Sequence, residues 1–188
     1  MIKIGITGSV ASGKTTASKI LSFRRGPLFS ADEIVKEFYR NKHFKSLVSR
    51  KFKLKNNSQL KKSLKNMILK NKNNIKKLEK IIHPLVRKKM KNFTTQNRNK
   101  KLLFYEIPLL IESKLMSHFN VIIFIKAKKY LRLKRFQSKK GDKKLFNLLN
   151  NKQMNETKKI KFCDYVVVNE KNLNILKMNL LAIISKYE

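Results

Sequence analysis

The sequence predicts an α/β fold, a mostly parallel five-stranded sheet with helices on both faces, and three observations predict it. An apolar run, "MIKIGI", leads directly into "GSVASGKTT" and then into a helical pattern. Four further strand patterns follow, each separated from the last by helical stretches. Between about 41 and 99 there is no strand pattern. Strands joined through helices build parallel sheets covered on both faces. Ligands of such sheets lie at the carboxyl ends of the strands.

Each element has a local reason. Residues 2–7 alternate β-branched and small residues and read as a strand. In "GKTTASKILSFRR", Ala17, Ile20 and Leu21 share one helical face, and Gly26-Pro27 breaks the pattern. "LFS" is a short second strand. "ADEIVKEFYRN" is a helix with Ile34, Val35 and Phe38 on its buried side. Its Asp32 and Glu33 fall in the first turn, where the helix dipole favours acids. "HFKSLVSRKF", "SQLKKSLKNMILKN" and "NNIKKLEKIIHPLVRKKMKNF" are successive helices, with Asn-rich turns at 56–57 and 71–74. Pro84 is expected where one helix ends and another begins. Strand character returns at 102–107, and Pro108 ends it, since proline cannot extend a central ladder. "NVIIFIKA", 120–127, is the continuous apolar run of a strand buried on both faces. A basic helical stretch with a break near Gly141 follows. "DYVVVNE", 164–170, is the last strand, and "NLNILKMNLLAIISKY" is a closing amphipathic helix.

The 188 residues suit one domain with insertions, and the apolar fraction of 41% is ordinary globular usage. One cysteine, Cys163, allows no internal disulfide and suits a reducing compartment. The N-terminal apolar run is too short for a secretory signal, and nothing approaches the ~18 apolar residues of a membrane span. The expectation is a soluble cytoplasmic protein with no membrane partner. The charge is unusual: 46 Lys+Arg against 11 Asp+Glu, a formal +35. Such a field attracts polyanions. The excess is nevertheless mostly lysine, accompanied by Asn and Ile and spread along the whole chain, as a compositional bias of the coding sequence would produce. No specific nucleic-acid partner is expected, only polyanion binding that fades as salt rises.

Gly8, Gly13, Lys14 and Thr15 fit G-x-x-x-x-G-K-[ST], a phosphate-binding loop. The glycines allow backbone angles that other residues resist, and the N–H groups between them cradle phosphate oxygens. Ala11, Ser12 and Thr16 complete the cradle with these residues. Lys14 reaches the β- and γ-phosphates, and the Thr15 hydroxyl suits Mg²⁺. The strand before and the helix after are the context this motif requires. Signatures that read guanine are missing, which turns the reading away from a GTPase. A short chain that opens on the loop and carries a helical insertion suits a small-molecule kinase. Such a kinase needs a group to deprotonate or orient the acceptor hydroxyl. Asp32 at the end of the second strand is the candidate, its alternative being an ordinary helix N-terminal acid.

Four segments, "GSVASGKTT", "SADEI", "IIHPLVR" and "IPLLIE", stand in an order and spacing that resemble the dephospho-CoA kinases. The resemblance covers residues 4 to 113 and continues more weakly beyond. It implies a three-layer P-loop kinase fold that moves the γ-phosphoryl of ATP, with Mg²⁺, to the ribose 3′-hydroxyl of dephospho-CoA. It implies a nucleotide-binding core at about 1–40, 100–127 and 160–188, a substrate-binding helical insertion at 41–99 and a lid at 128–159. Asp32 matches the family's catalytic aspartate. His83 and Arg87 match its H-P-x-x-R substrate motif, and Pro108, Leu109 and Glu112 its P-L-L-x-E motif. The residues themselves allow plainer roles: a cap before Pro84 for His83, a solvated base for Arg87, core packing for Leu109 and Leu110. In the lid, Arg132 and Arg135 are candidates to neutralise transferring charge, with Lys139 an alternative; Arg135 is assigned to the nucleotide.

The chain departs from the family pattern in three places. Ser30 stands where the first Asp of D-A-D is usual. Ser9 and Ala11 stand where glycine is usual, which strains the loop if either needs a positive φ. Leu148 stands near a frequent arginine, ahead of Gln153. Two other functions share these features: a P-loop kinase of a nucleoside or nucleotide, and a nucleic-acid-binding ATPase suggested by the charge alone.

Overall fold

A computed structural model describes residues 1–71 and 73–188. The chain divides into two units, Met1–Ser30 with Thr94–Glu188, and Ala31–Phe93.

The first unit is built on a parallel sheet in the order β2-β3-β1-β4-β5. Its strands are β1 (Ile2–Gly8), β2 (Leu28–Ser30), β3 (Leu102–Glu106), β4 (Val121–Lys126) and β5 (Tyr165–Val168). Every neighbouring pair is parallel. β1 lies at the centre, with Ile6 level with Glu106 on one side and Ile123 on the other. This explains its composition. A central strand has both faces covered, so Ile4 and Ile6 are fully buried, each adding roughly 1.5–3 kcal/mol of burial. Ile4 and Ile6 pack with Leu102, Phe104, Ile123 and Ile125. Ala17 and Leu21 of α1 (Lys14–Ser22) join the same cluster. So do Leu176, Leu180 and Ile184 from the closing helix (Leu173–Ile184). At Gly5 a Cβ would lie 2.7 Å from the Leu110 side chain and 3.1 Å from the Phe119 ring, so glycine admits close packing there.

Cys163 sits just before β5 and is half-buried. Burial and the Asp164 charge push its thiol up to about 11, partly offset by Lys159. Thiolate is the reactive form. Alkylation by iodoacetamide at pH 8 is therefore expected to run at least about tenfold slower than for a free thiol. Labelling at the free-thiol rate would contradict this placement.

The second unit is helical: α2 (Ala31–Phe38), α3 (Lys42–Phe52), α4 (Leu60–Lys70) and α5 (Asn73–Gln96). Its core joins Phe44, Val48, Phe52 and Leu64, with Leu78, Ile81, Ile82 and Leu85 packed against them. Burial there pushes the Tyr39 phenol up to about 12. One expectation fails here. Pro84 does not separate two helices; it lies inside α5, a helix of 24 residues. The apolar stripe runs through it from Leu78 to Leu85, and that burial outweighs the hydrogen bond a proline gives up. His83 is therefore a helix-interior residue and not a cap. The turn expected at 71–74 includes Lys72, which lies outside the described residues; Asn73 and Asn74 are already helical.

The basic stretch 128–159 forms α6 (Lys129–Ser138), α7 (Lys143–Lys152) and α8 (Glu156–Ile160), with the break at Gly141 as expected. The closing helix is α9. No described helix is long and apolar enough to cross a membrane.

Candidate functional site

The phosphate loop begins where β1 stops. Gly8 has φ +153°, and a Cβ on it would lie 2.4 Å from the Ile125 carbonyl oxygen. Gly13, at φ +100°, opens α1, and a Cβ there would lie 2.1 Å from Asn169 Nδ2. Both glycines are thus required by angle and by space. Of the two departures from glycine, only Ala11 has a positive φ, +57°; Ser9 does not. The left-handed angle at Ala11 costs about 1–2 kcal/mol.

Lys14 is 7% exposed, and its Nζ donates to the Ser9 carbonyl at 2.9 Å. Ser12 is wholly buried, and its Oγ has no hydrogen-bond partner among the described residues. The Ser12 carbonyl accepts from Asn169 Nδ2 at 2.8 Å and from Arg135 Nη1 at 3.5 Å. Arg135 Nη2 donates to the Asn169 carbonyl at 3.0 Å. The Arg135 guanidinium therefore lies against the loop. Arg132 is 5% exposed and behaves differently. Its Nε donates to the Ala127 carbonyl and its Nη1 to Asn150 Oδ1 and the Val10 carbonyl. Burial lowers its pKa, opposed by the charge of Glu156. Lys139 is exposed just beyond α6, and Leu148 is half-buried in α7.

Thr15 and Thr16 are exposed in the first turn of α1. The Thr15 hydroxyl donates to Glu106 Oε1 at 2.6 Å, and the Ser30 hydroxyl donates to Glu106 Oε2 at 3.0 Å. Glu106 is 1% exposed at the carboxyl end of β3, level with Ser30. Sequence reasoning passed over Glu106. The available signal was a charged residue ending the otherwise apolar strand "LLFYE", because a buried carboxylate needs partners. The same pair accounts for Ser30: a hydroxyl there donates to the carboxylate, whereas a second carboxylate would face it with like charge.

Beyond β3, the Pro108 carbonyl accepts from Thr7 Oγ1 at 3.3 Å and Lys159 Nζ at 3.5 Å. Leu109 is half-buried, while Leu110 is wholly buried in the core. Glu112 Oε1 accepts from the wholly buried Lys159 at 2.8 Å and from the Met154 N–H at 3.0 Å. Its Oε2 is buried and has no hydrogen-bond partner among the described residues.

In the helical unit, Asp32 is exposed in the first turn of α2. His83 and Arg87 lie four residues apart on α5, the first half-buried and the second exposed. That spacing puts them on one face.

Among the described residues no three His, Cys, Asp or Glu side chains gather as a metal-holding group. The Thr15 hydroxyl and the Glu106 carboxylate are hard oxygen donors already in contact. They fit a cation such as Mg²⁺, which takes one or two protein oxygens beside substrate phosphates.

The dephospho-CoA kinase family model matches residues 2–174. This chain belongs to the dephospho-CoA kinase family. The dephospho-CoA kinase of Bartonella quintana (strain Toulouse) is 32% identical over 186 residues, which are 96% of this chain and 95% of that protein. Among solved structures, TT1252 from Thermus thermophilus matches with a TM-score of 0.80 at 25% identity, covering 100% of this chain and 98% of that one. The dephospho-CoA kinase from Campylobacter jejuni matches with a TM-score of 0.65 at 25% identity, covering 99% and 97%. The dephospho-CoA kinase family makes this chain an ATP-dependent phosphotransferase on a P-loop kinase fold.

Proposed function

We propose that this chain transfers the γ-phosphoryl of ATP to the 3′-hydroxyl of dephospho-CoA, giving CoA and ADP, with Asp32, Lys14, Thr15 and Glu106 as the working residues. Asp32 accepts the proton of the 3′-hydroxyl as its oxygen bonds to the γ-phosphorus. The bond to the β–γ bridging oxygen breaks, and ADP leaves. Lys14 holds the β- and γ-phosphates as a point charge, and Gly8, Ala11, Ser12, Gly13 and Thr16 shape the cradle. Thr15 and Glu106 would hold Mg²⁺, which when bound neutralises phosphate charge. His83 and Arg87 bind dephospho-CoA, as do Pro108, Leu109 and Glu112, and Arg135 contacts ATP. Arginine suits phosphate because its donors form a planar fork. The single undisulfided cysteine and these substrates suit the cytoplasm.

The observation that carries the reading is the Thr15–Glu106–Ser30 hydrogen-bonded set beside the phosphate loop, in a chain of this family. The test is to supply ATP, Mg²⁺ and dephospho-CoA and to follow CoA by mass spectrometry, with nucleosides and nucleotides as rival acceptors. CoA is the expected product. Phosphorylation of a nucleoside or nucleotide instead would overturn the acceptor assignment.

Glu106→Gln is expected to lower kcat about tenfold, because the amide offers a donor where two hydroxyls already donate. The Mg²⁺ concentration for half-maximal rate should rise with it. An unchanged Mg²⁺ dependence would leave Glu106 as a strand-end packing residue.

A further inference from the structure

We propose that Glu156 is a positioning residue for the phosphate loop, acting on it through Ser9 and Arg132. The proposal rests on the reading of that loop as the ATP site. Glu156 Oε1 accepts from Ser9 Oγ at 2.5 Å and lies 3.6 Å from Arg132 Nη2. Arg132 in turn donates from Nη1 to the Val10 carbonyl at 3.4 Å and to Asn150 Oδ1 at 2.9 Å. The Val10 N–H donates to Gln153 Oε1 at 2.9 Å. So the Ser9 side chain and both backbone polar groups of Val10 are taken by side chains from the segment 132–156. All of these residues belong to the first unit.

An exposed ion pair contributes little to a structure, since water screens it. This one is not exposed: the side chains of Arg132 and Glu156 are 6% and 25% accessible. The contact to the loop exists only because position 9 is serine, since a glycine there has no hydroxyl to donate. The neighbouring Ala11 holds a left-handed angle that its Cβ disfavours, so the loop needs external support to stay in its binding shape. Fixing residues 9 and 10 supplies it. A preformed loop binds phosphate without first losing its own freedom. The effect of Glu156 therefore belongs to ATP affinity and not to the acceptor.

The test is a double-mutant cycle on the full chain with Ser9→Ala, Glu156→Ala and the double variant, read by the dissociation constant of a fluorescent ATP analogue. Steady-state KM for each substrate accompanies it. Each single change is expected to weaken the analogue about five- to tenfold, and the double change no more than the worse single one. The KM for dephospho-CoA should stay constant. Glu156→Gln, which keeps an acceptor for Ser9, should recover most of the affinity, and it replaces Glu156→Ala if thermal melting shows that the alanine variant does not fold. Single effects that multiply in the double variant would overturn the proposal. So would unchanged affinity in either single variant, equal losses in both KM values, or a glutamine no better than alanine. Failure of the wild-type chain to bind the analogue would overturn the ATP site, and this proposal with it; failure confined to the variants' pattern would overturn the proposal alone.

Discussion

Asp32→Asn is expected to lower kcat by about a hundredfold or more and to leave ATP affinity largely unchanged. Asparagine keeps the size and most of the hydrogen-bonding capacity of the aspartate. It cannot take the proton that leaves the 3′-hydroxyl. A hundredfold loss corresponds to about 2.7 kcal/mol in the barrier. The plainer role, an acid in the first turn of α2, predicts something else. A helix-dipole contribution is about 0.3–1 kcal/mol of stability, with no effect on turnover. The two roles therefore separate on one variant. Steady-state turnover with dephospho-CoA reads the first, and a melting curve reads the second. Near-normal turnover with a slightly lowered melting temperature would remove Asp32 from the chemistry.

Much of the fold was legible because its signals are local. β4 is an apolar run that only a doubly covered strand needs, β1 alternates β-branched and small residues, and both lie where expected. The phosphate loop was legible for a related reason: its two glycines hold positive φ angles, a local backbone requirement, although the atoms that crowd them, the Ile125 carbonyl and Asn169, lie far along the chain. Pro84 misled because proline's cost is also local, while the burial that overrides it comes from α3 and α4. Side-chain partnerships over long chain separations left little trace. Thr15 meets Glu106 across 91 residues, Ser9 meets Glu156 across 147, and Asn169 meets the Ser12 carbonyl across 157. No periodicity records such pairs. Ser30, Ser9 and Leu148 were visible only as departures from a pattern. The fold gives the two serines partners, Glu106 and Glu156, that the sequence could not name. Near Leu148 the residue that reaches the loop is Gln153, through the Val10 N–H.

Lys14→Ala is expected to lower kcat/KM about a thousandfold, the scale of a lost preorganised charge at a transferring phosphoryl group. The ammonium is nearly buried and held by the Ser9 carbonyl at the start of α1. A charge in that position acts at short range. The rest of the molecule acts at long range, because 46 basic side chains against 11 acids attract any polyphosphate. At low salt this diffuse field will retain ATP on the variant and blur a binding measurement. Raising the ionic strength separates the two. Exposed charges are screened beyond about 8 Å at physiological salt, whereas a buried contact is screened far less. The ratio of wild-type to variant kcat/KM should therefore persist or grow as salt increases from about 0.05 to 0.5 M. A ratio that falls towards one would make Lys14 one more member of the general field. Lys14→Arg is expected to recover only part of the loss, since a forked guanidinium does not fit the space of a compact, nearly buried ammonium.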